Sequence, residues 1–385
     1  MVNSHLFYIS IFEIKIVSQV PELCLRDCLE TSRITSASSM HKKKHTIKDI
    51  AKLAGVSKGT VDRVLHKRGK VSRKAHEKVD RILKEIEYQP NPMARSLKEN
   101  KIYRICVLIP NTQDDPYWVP AHKGICDAAE EFKPFGVIVE EYFYHPYQKK
   151  TFIEKAQEAM DSNPDVILMA PLFQEASVLI LKKCKEANVR VALFNNHINT
   201  PNDEVFIGQD LFQSGKIAAG LIDKMIVRNA KIAIIHINKE PHMELKENGF
   251  KAYFQGKKKN DPLVVTQSFS TSDTISFEKD VASFLQQNPN IPALFVTNSK
   301  AHTLIKALDK NNHECIVLGY DLLEENIDYL KKGKIDFLIH QKPKRQAYLG
   351  VGYFAEHFLF GKKIPERKLL PIDVITAENV DYYSA

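Results

Sequence analysis

Residues 46–97, TIKDIAKLAGVSKGTVDRVLHKRGKVSRKAHEKVDRILKEIEYQPNPMARSL, decide how the rest of the chain is read. Thr46 can cap a helix, with Asp49 three residues on in a capping-box arrangement, and Ile47, Ile50, Ala51 and Ala54 make one apolar face. Gly55 permits a tight turn, Ser57 caps a second helix over residues 58–65, and Ser72 caps a third. In that third helix Ala75, Val79, Ile82, Leu83 and Ile86 recur at helical spacing. The second helix turns Val61, Val64 and Leu65 inward and leaves Lys58, Thr60, Asp62, Arg63 and His66 outside. Pro90 and Pro92 stop the third helix. Residues 92–97 then make a helix of under two turns, with Pro92 at its first position and Asn91 as cap. A helix that short orders only against a partner.

The net charge of +8 is concentrated here: residues 40–104 hold 19 Lys and Arg against 7 Asp and Glu, while the remainder is slightly acidic. A basic module on an otherwise acidic chain points to a polyanion for that module alone; the competing reading is a solvated basic face. Ala54, Gly55 and Val56 supply the turn of a helix-turn-helix, which lays the second helix in the major groove of DNA. Arg63 is then the residue suited to grip guanine with two bonds, while Ser57, Thr60 and His66 reach phosphates. A surface ion pair is the competing role for Arg63.

On the motifs TIKDIAKLAGVSKGTVDRVL, KVS at residues 70–72 and YQPNPMARSL, the chain resembles the LacI/GalR family of bacterial transcription regulators. The resemblance implies that residues 92–97 are a hinge helix whose Leu97 wedges into the minor groove and kinks the site, at a cost of a few kcal/mol offset by the contacts the bend permits. Core filling is the competing role for Leu97, but Arg95, Lys98 and Lys101 around it suit phosphates. It implies DNA contacts from Thr46, Ser57, Lys58, Gly59, Thr60, Arg63, His66, Asn91, Ala94, Arg95 and Leu97. The chain departs from the family where a serine is usual and Asp62 stands, and where Gly59 removes a side chain from the reading face.

From residue 103 the texture changes to apolar runs alternating with helical stretches: RICVLIP, GVIVEEYFY, DVILMAP and VRVALFN, then KIAIIHIN, PLVVTQSF, PALFVTN, CIVLGYD and IDFLIHQ. Such alternation predicts parallel sheets joined by right-handed crossovers, and about 280 residues of it make two lobes with a cleft between. The expected fold is therefore an all-α helix-turn-helix head (residues 40–90), a hinge and linker (91–102) and an α/β domain of two parallel-sheet, Rossmann-like lobes (103–385). Residues 1–39 are expected to be an extension upstream of a natural start at Met40. Their HLFYISIFEIKIV run, broken by Glu13 and Lys15, is a poor signal peptide and too short to span a bilayer.

The two-lobed part resembles the periplasmic sugar-binding-protein fold of the same regulators, in its ribose-binding branch. Ligands of open parallel sheets lie at the carboxyl ends of strands, which here carry Asp114, Asp115, Tyr117 and Trp118, then Asn195, Asn196 and His197, then Asn298, Asp321 and Gln341. Amides and acids bind hydroxyls in pairs and aromatic faces stack on sugar rings. The resemblance gives Asn298, Asp321 and Gln341 ligand roles, with Tyr117 and Trp118 as the aromatic wall. Each has a competing role: Asn298, Ser299 and Asp321 as helix caps, Tyr117 and Trp118 as core. The family's sugar-facing arginine is replaced by Asn196 in FNNH, and MELKENGF at residues 243–250 leaves His242, Glu244 or Lys246 in the position of another.

Six scattered cysteines without a CxxC pair imply core thiols rather than disulfides or a zinc site, and no hydrolase, metalloprotease or nucleotide-binding motif is present. The expectation is a cytoplasmic homodimer that binds operator DNA and a small carbohydrate-like effector, without cofactor, metal, membrane or catalytic step. A sugar-binding protein of a transport system is the alternative, and it leaves the basic head unexplained.

Overall fold

A computed structural model of the protein describes residues 45–65, 69–86, 88, 101–198, 204–227, 229–255 and 262–383. The chain divides into two units, Met1–Pro90 and Asn91–Ala385. The expected extension, His66, and the expected hinge helix with Asn91, Ala94, Arg95 and Leu97 lie outside the described residues.

The first unit contains α1 (Ile47–Ala54), α2 (Lys58–Leu65) and α3 (Arg73–Glu85). Thr46 and Asp49 close a reciprocal capping box: the Thr46 amide donates to Asp49 Oδ2 at 2.9 Å and the Asp49 amide to Thr46 Oγ1 at 3.3 Å. Gly55 ends α1 in the left-handed region at φ 62°, and the Val56 amide reaches back to the Ala51 carbonyl at 3.0 Å. Ser57 and Ser72 cap α2 and α3 through the amides of Thr60 (3.1 Å) and Ala75 (3.4 Å). Ile50, Ala51, Ala54, Val61, Val64 and Val79 form the core, flanked by Ile47, Val56, Ile82 and Ile86.

The second unit holds two six-stranded sheets. In the first lobe β1 (Tyr103–Pro110), β2 (Val137–Tyr144), β3 (Val166–Met169), β4 (Arg190–Asn195), β5 (Val205–Gly208) and β11 (Arg367–Leu369) take the order β11-β5-β4-β3-β1-β2 and are all parallel. The second lobe is built from β6 (Lys231–Ile237), β7 (Leu263–Phe269), β8 (Ala293–Val296), β9 (Ile316–Tyr320), β10 (Phe337–His340) and β12 (Asp373–Ile375). Their order is β12-β10-β9-β8-β6-β7, with only β12 antiparallel. The inner strands are continuous apolar runs because helices cover both faces. The edge strands β2 and β7 are half-exposed and carry polar residues, as an unpaired edge requires.

The helices show which lobe each segment serves. α4 (Val119–Phe132) and α12 (Pro343–Phe360) pack together in the first lobe's core, through Ile125, Ala347 and Val351. α7 (Leu211–Met225) and α8 (Pro241–Phe254) belong to the second lobe, with Ala218, Ala219 and Phe250 in its core. Among the described residues the chain therefore crosses between lobes three times, after β5, after β10 and after β11. Gln209 binds the three crossings together: its Nε2 donates to the His340 carbonyl at 3.0 Å and to the Pro371 carbonyl at 2.7 Å. No helix among the described residues is long and apolar enough to cross a membrane.

Candidate functional site

The exposed face of α2 is the first candidate surface. Lys58, Gly59 and Arg63 are exposed and Thr60 is half-exposed, while Val61 and Val64 point into the core. Arg63 has no ion pair among the described residues, so the competing surface-pair role finds no partner there. Thr46 and Ser57 use their hydroxyls in the caps, Thr46 Oγ1 donating to Asp49 Oδ2 at 2.7 Å. Gly59 is helical, and a Cβ there would meet only Ser57 Oγ at 3.7 Å. Neither its backbone nor its packing requires glycine.

The second candidate is the interlobe cleft. Its floor is lined by Asp115, Tyr117, Trp118, Asn195 and Asn196 of the first lobe and by Glu240, His242, Asn298, Lys300, Asp321 and Gln341 of the second. The floor leaves about 30 Å³ free between the lobes. It adjoins a mouth of about 810 Å³ through Leu172 and Glu240, which line both.

On the first lobe, Asp115 caps a 3₁₀ turn over Pro116–Trp118 by accepting from the Tyr117 amide at 3.1 Å. This turn drives both rings inward: Tyr117 and Trp118 meet edge to face at 5.0 Å, and Trp118 meets Phe194 the same way at 6.1 Å. They are core and cleft wall together. Asn195 donates its Nδ2 to the Tyr117 hydroxyl. Asn196 Oδ1 is buried and accepts nothing among the described residues.

On the second lobe, Asn298 donates to the Ile237 carbonyl at 2.7 Å and accepts from the Lys300 amide at 3.2 Å. Asp321 accepts from the Gln341 amide at 3.0 Å and from Gln341 Nε2 at 2.6 Å. Asn195 and Asp321 both sit in the left-handed region, at φ 69° and 63°, which Asn and Asp tolerate. Lys300 Nζ donates across the cleft to the Tyr147 hydroxyl at 2.7 Å.

Beneath the floor lies Lys246, wholly buried, donating to the Thr297 carbonyl at 2.9 Å and standing 3.6 Å over the Tyr320 ring. It is held there because α7 and α8 touch backbone to backbone; a Cβ on Gly215 would fall 2.0 Å from the Lys246 carbonyl oxygen. Burial pushes the Lys246 amine down to about 8, Asp321 up to about 6 and Glu240 up to about 7, the last helped by the Asp115 charge. Burial also holds His242 well below the usual histidine range, beside Glu240 at 3.4 Å. The floor thus holds two carboxyl groups, Asp321 and Glu240, that burial moves toward neutrality.

Three expected effector residues stand elsewhere. Asp114 is exposed, since it is Asp115 that caps the turn. His197 points out of the cleft with its ring on the edge of Phe206 at 5.2 Å. Glu244 lies on the outer face of α8, paired with Lys239 at 3.2 Å, because Met243, Lys246 and Phe250 take the inner one. Glu240 and Lys300 were not foreseen. Their sequence neighbourhood carries no pattern; only burial and the cross-lobe bond single them out.

The profile of the periplasmic binding protein domain matches residues 105–363, and that of the bacterial regulatory proteins of the lacI family matches residues 46–91. The chain is 25% identical to the sucrose operon repressor of Streptococcus mutans, over 86% of this chain and 98% of that one. It is 26% identical to the ribose operon repressor of Halalkalibacterium halodurans, over 66% and 71%. The crystal structure of a Bacteroides fragilis chain described as a LacI transcriptional regulator superposes with a TM-score of 0.68 and 26% identity, covering 74% of this chain and all of that one.

Proposed function

From the premise that the chain belongs to the lacI family of bacterial regulatory proteins and carries a periplasmic binding protein domain, we propose that it is a carbohydrate-responsive transcriptional repressor. The observation that carries this reading is the pairing, on one chain, of an exposed basic reading helix with an interlobe cleft floored by buried amides and carboxylates. A transport-type binding protein is not favoured, because it leaves α1 to α3 without a task.

Two copies act together in the bacterial cytoplasm, their heads reading a pseudo-palindromic operator. Arg63 reads a base; Lys58, Thr60, Ser57 and His66 hold phosphates, and Leu97 is the minor-groove wedge. In the cleft, Asp321, Asn298 and Gln341 take the effector's hydroxyls against the wall of Tyr117 and Trp118. No bond is made or broken. Lobe closure about the three crossings transmits occupancy to the head, and the coupling is reciprocal: operator and effector shift each other's affinity by one factor.

The test is a thermal-shift screen of the full chain against neutral sugars, polyols and sugar acids, followed by operator binding with and without the hit. A sugar that raises the melting temperature and changes operator affinity supports the reading. Operator binding indifferent to every stabilising sugar would refute the coupling.

A further inference from the structure

The first lobe carries a cluster that the cleft does not use. His122 and Cys126 stand one turn apart on the same face of α4, and Glu141 comes up to them from the edge strand β2. In β2 neighbouring side chains leave by opposite faces. Glu140 accordingly turns to Arg104, at 3.4 Å, and Glu141 turns to α4, where its Oε2 lies 3.3 Å from His122 Nε2. Cys126 Sγ lies 3.4 Å from that same nitrogen, and all three ligand-type atoms fall within 4.8 Å of one another.

We propose that His122, Cys126 and Glu141 form a site for a zinc-class divalent cation. Two observations carry it. First, zinc bonds of about 2.0–2.1 Å to nitrogen or oxygen and about 2.3 Å to sulfur, set at a tetrahedral angle, place nitrogen about 3.5 Å from sulfur and about 3.4 Å from oxygen. The two separations seen at His122 match those edges. Second, Glu141 Oε1 is buried with no hydrogen-bond partner among the described residues. The carboxylate's other oxygen, Oε2, is the one that faces His122, so hydrogen bonding meets the charge of Glu141 on one side only, and a cation held at Oε2 would offset the rest.

An ordinary His–Glu ion pair accounts for the 3.3 Å contact. A hydrogen bond between Cys126 and His122 one helical turn apart accounts for the 3.4 Å contact, but neither pair accounts for the orphaned Glu141 oxygen. The His122 ring is fixed by the edge of Phe143, at 5.5 Å and 77°. Burial holds the Cys126 thiol and the Glu141 carboxyl above their usual ranges. A nitrogen, a thiolate and one carboxylate suit zinc rather than magnesium or calcium, and three protein ligands leave a fourth position for water. The sequence shows no such cluster because the third ligand arrives from the following strand.

The test titrates zinc, with a competing chelator, into the reduced, metal-free full chain and into Cys126→Ser and Glu141→Gln. Cobalt absorption is read alongside. One equivalent of zinc per chain and a thiolate-to-cobalt charge-transfer band are expected. Cys126→Ser should abolish the band and weaken zinc at least tenfold, and Glu141→Gln should weaken it about tenfold while keeping the band. Zinc should raise the melting temperature of the parent and not of Cys126→Ser, whose metal-free melting temperature matches the parent because Cys126 is exposed. Absence of tight zinc in the parent, or zinc affinity and band unchanged in Cys126→Ser, overturns the site.

Discussion

The reading face of α2 and the floor of the cleft both offer polar groups to a ligand, one from solvent and the other from the interior. Lys58, Gly59 and Arg63 are exposed, whereas Asn195, Asn196, Asn298, Asp321 and Gln341 are all less than a tenth exposed. The difference sets what each residue must do besides binding. An exposed side chain can change without loss to the fold. A buried one is also structure: Asn298 holds the end of β6 through the Ile237 carbonyl, and Asp321 holds the start of the second crossing through Gln341. Recognition and stability should therefore separate in the head and travel together in the cleft.

Four measurements test that separation. Trp118→Ala, at a side chain only 2% exposed, should cost about 3–5 kcal/mol of stability by chemical denaturation and abolish effector binding. A Trp118 variant of undiminished stability would break the comparison on the cleft side. Arg63→Ala should weaken operator binding about ten- to a hundredfold by fluorescence anisotropy with an unchanged melting temperature; a matching fall in melting temperature would break it on the head side. Lowering the pH from 7.5 to 5.5 sharpens it. Glu240 takes up its proton as pH falls through about 7 and Asp321 through about 6, so the floor loses acceptors. Effector affinity by calorimetry should fall several-fold over that window, and Asp321→Asn should flatten the acid limb. The smallest effect belongs to Gly59→Ala, for which the helix has room: about 0.5–1 kcal/mol of added stability, together with altered operator affinity.

The head was legible because its signals are local. Thr46, Gly55, Ser57 and Ser72 each fix a helix end through a bond to a residue at most five positions away. The nine long apolar runs of the second unit were legible as strands for the same reason. β5 offers only three apolar residues, Val205, Phe206 and Ile207, before Gly208, and β11 is Arg-Lys-Leu and exposed, so the one is a short signal and the other none. Their place comes from pairing, β11 with β5 across more than a hundred residues of chain. In the cleft, residue type was readable and side-chain direction was not. Asp114 and Asp115 differ only in which one caps the turn, and Glu244 misses the cleft by its phase on α8. Glu240 has no sequence signature; its chemistry arises from the groups that close over it.

The three crossings have a consequence for synthesis. A chain emerges from the ribosome amino end first, and domains generally fold in that order. Here the first lobe is begun at β1 but lacks α12, which fills its core beside Ile105 and Leu168, until residues 343–360 have been made. The second lobe has its five parallel strands by His340. The lobe translated first therefore waits for its last helix until the five parallel strands of the second lobe have been made, and β12 of the second lobe follows later still. Until α12 docks, an apolar face of its nascent sheet waits uncovered, where a chaperone would find it.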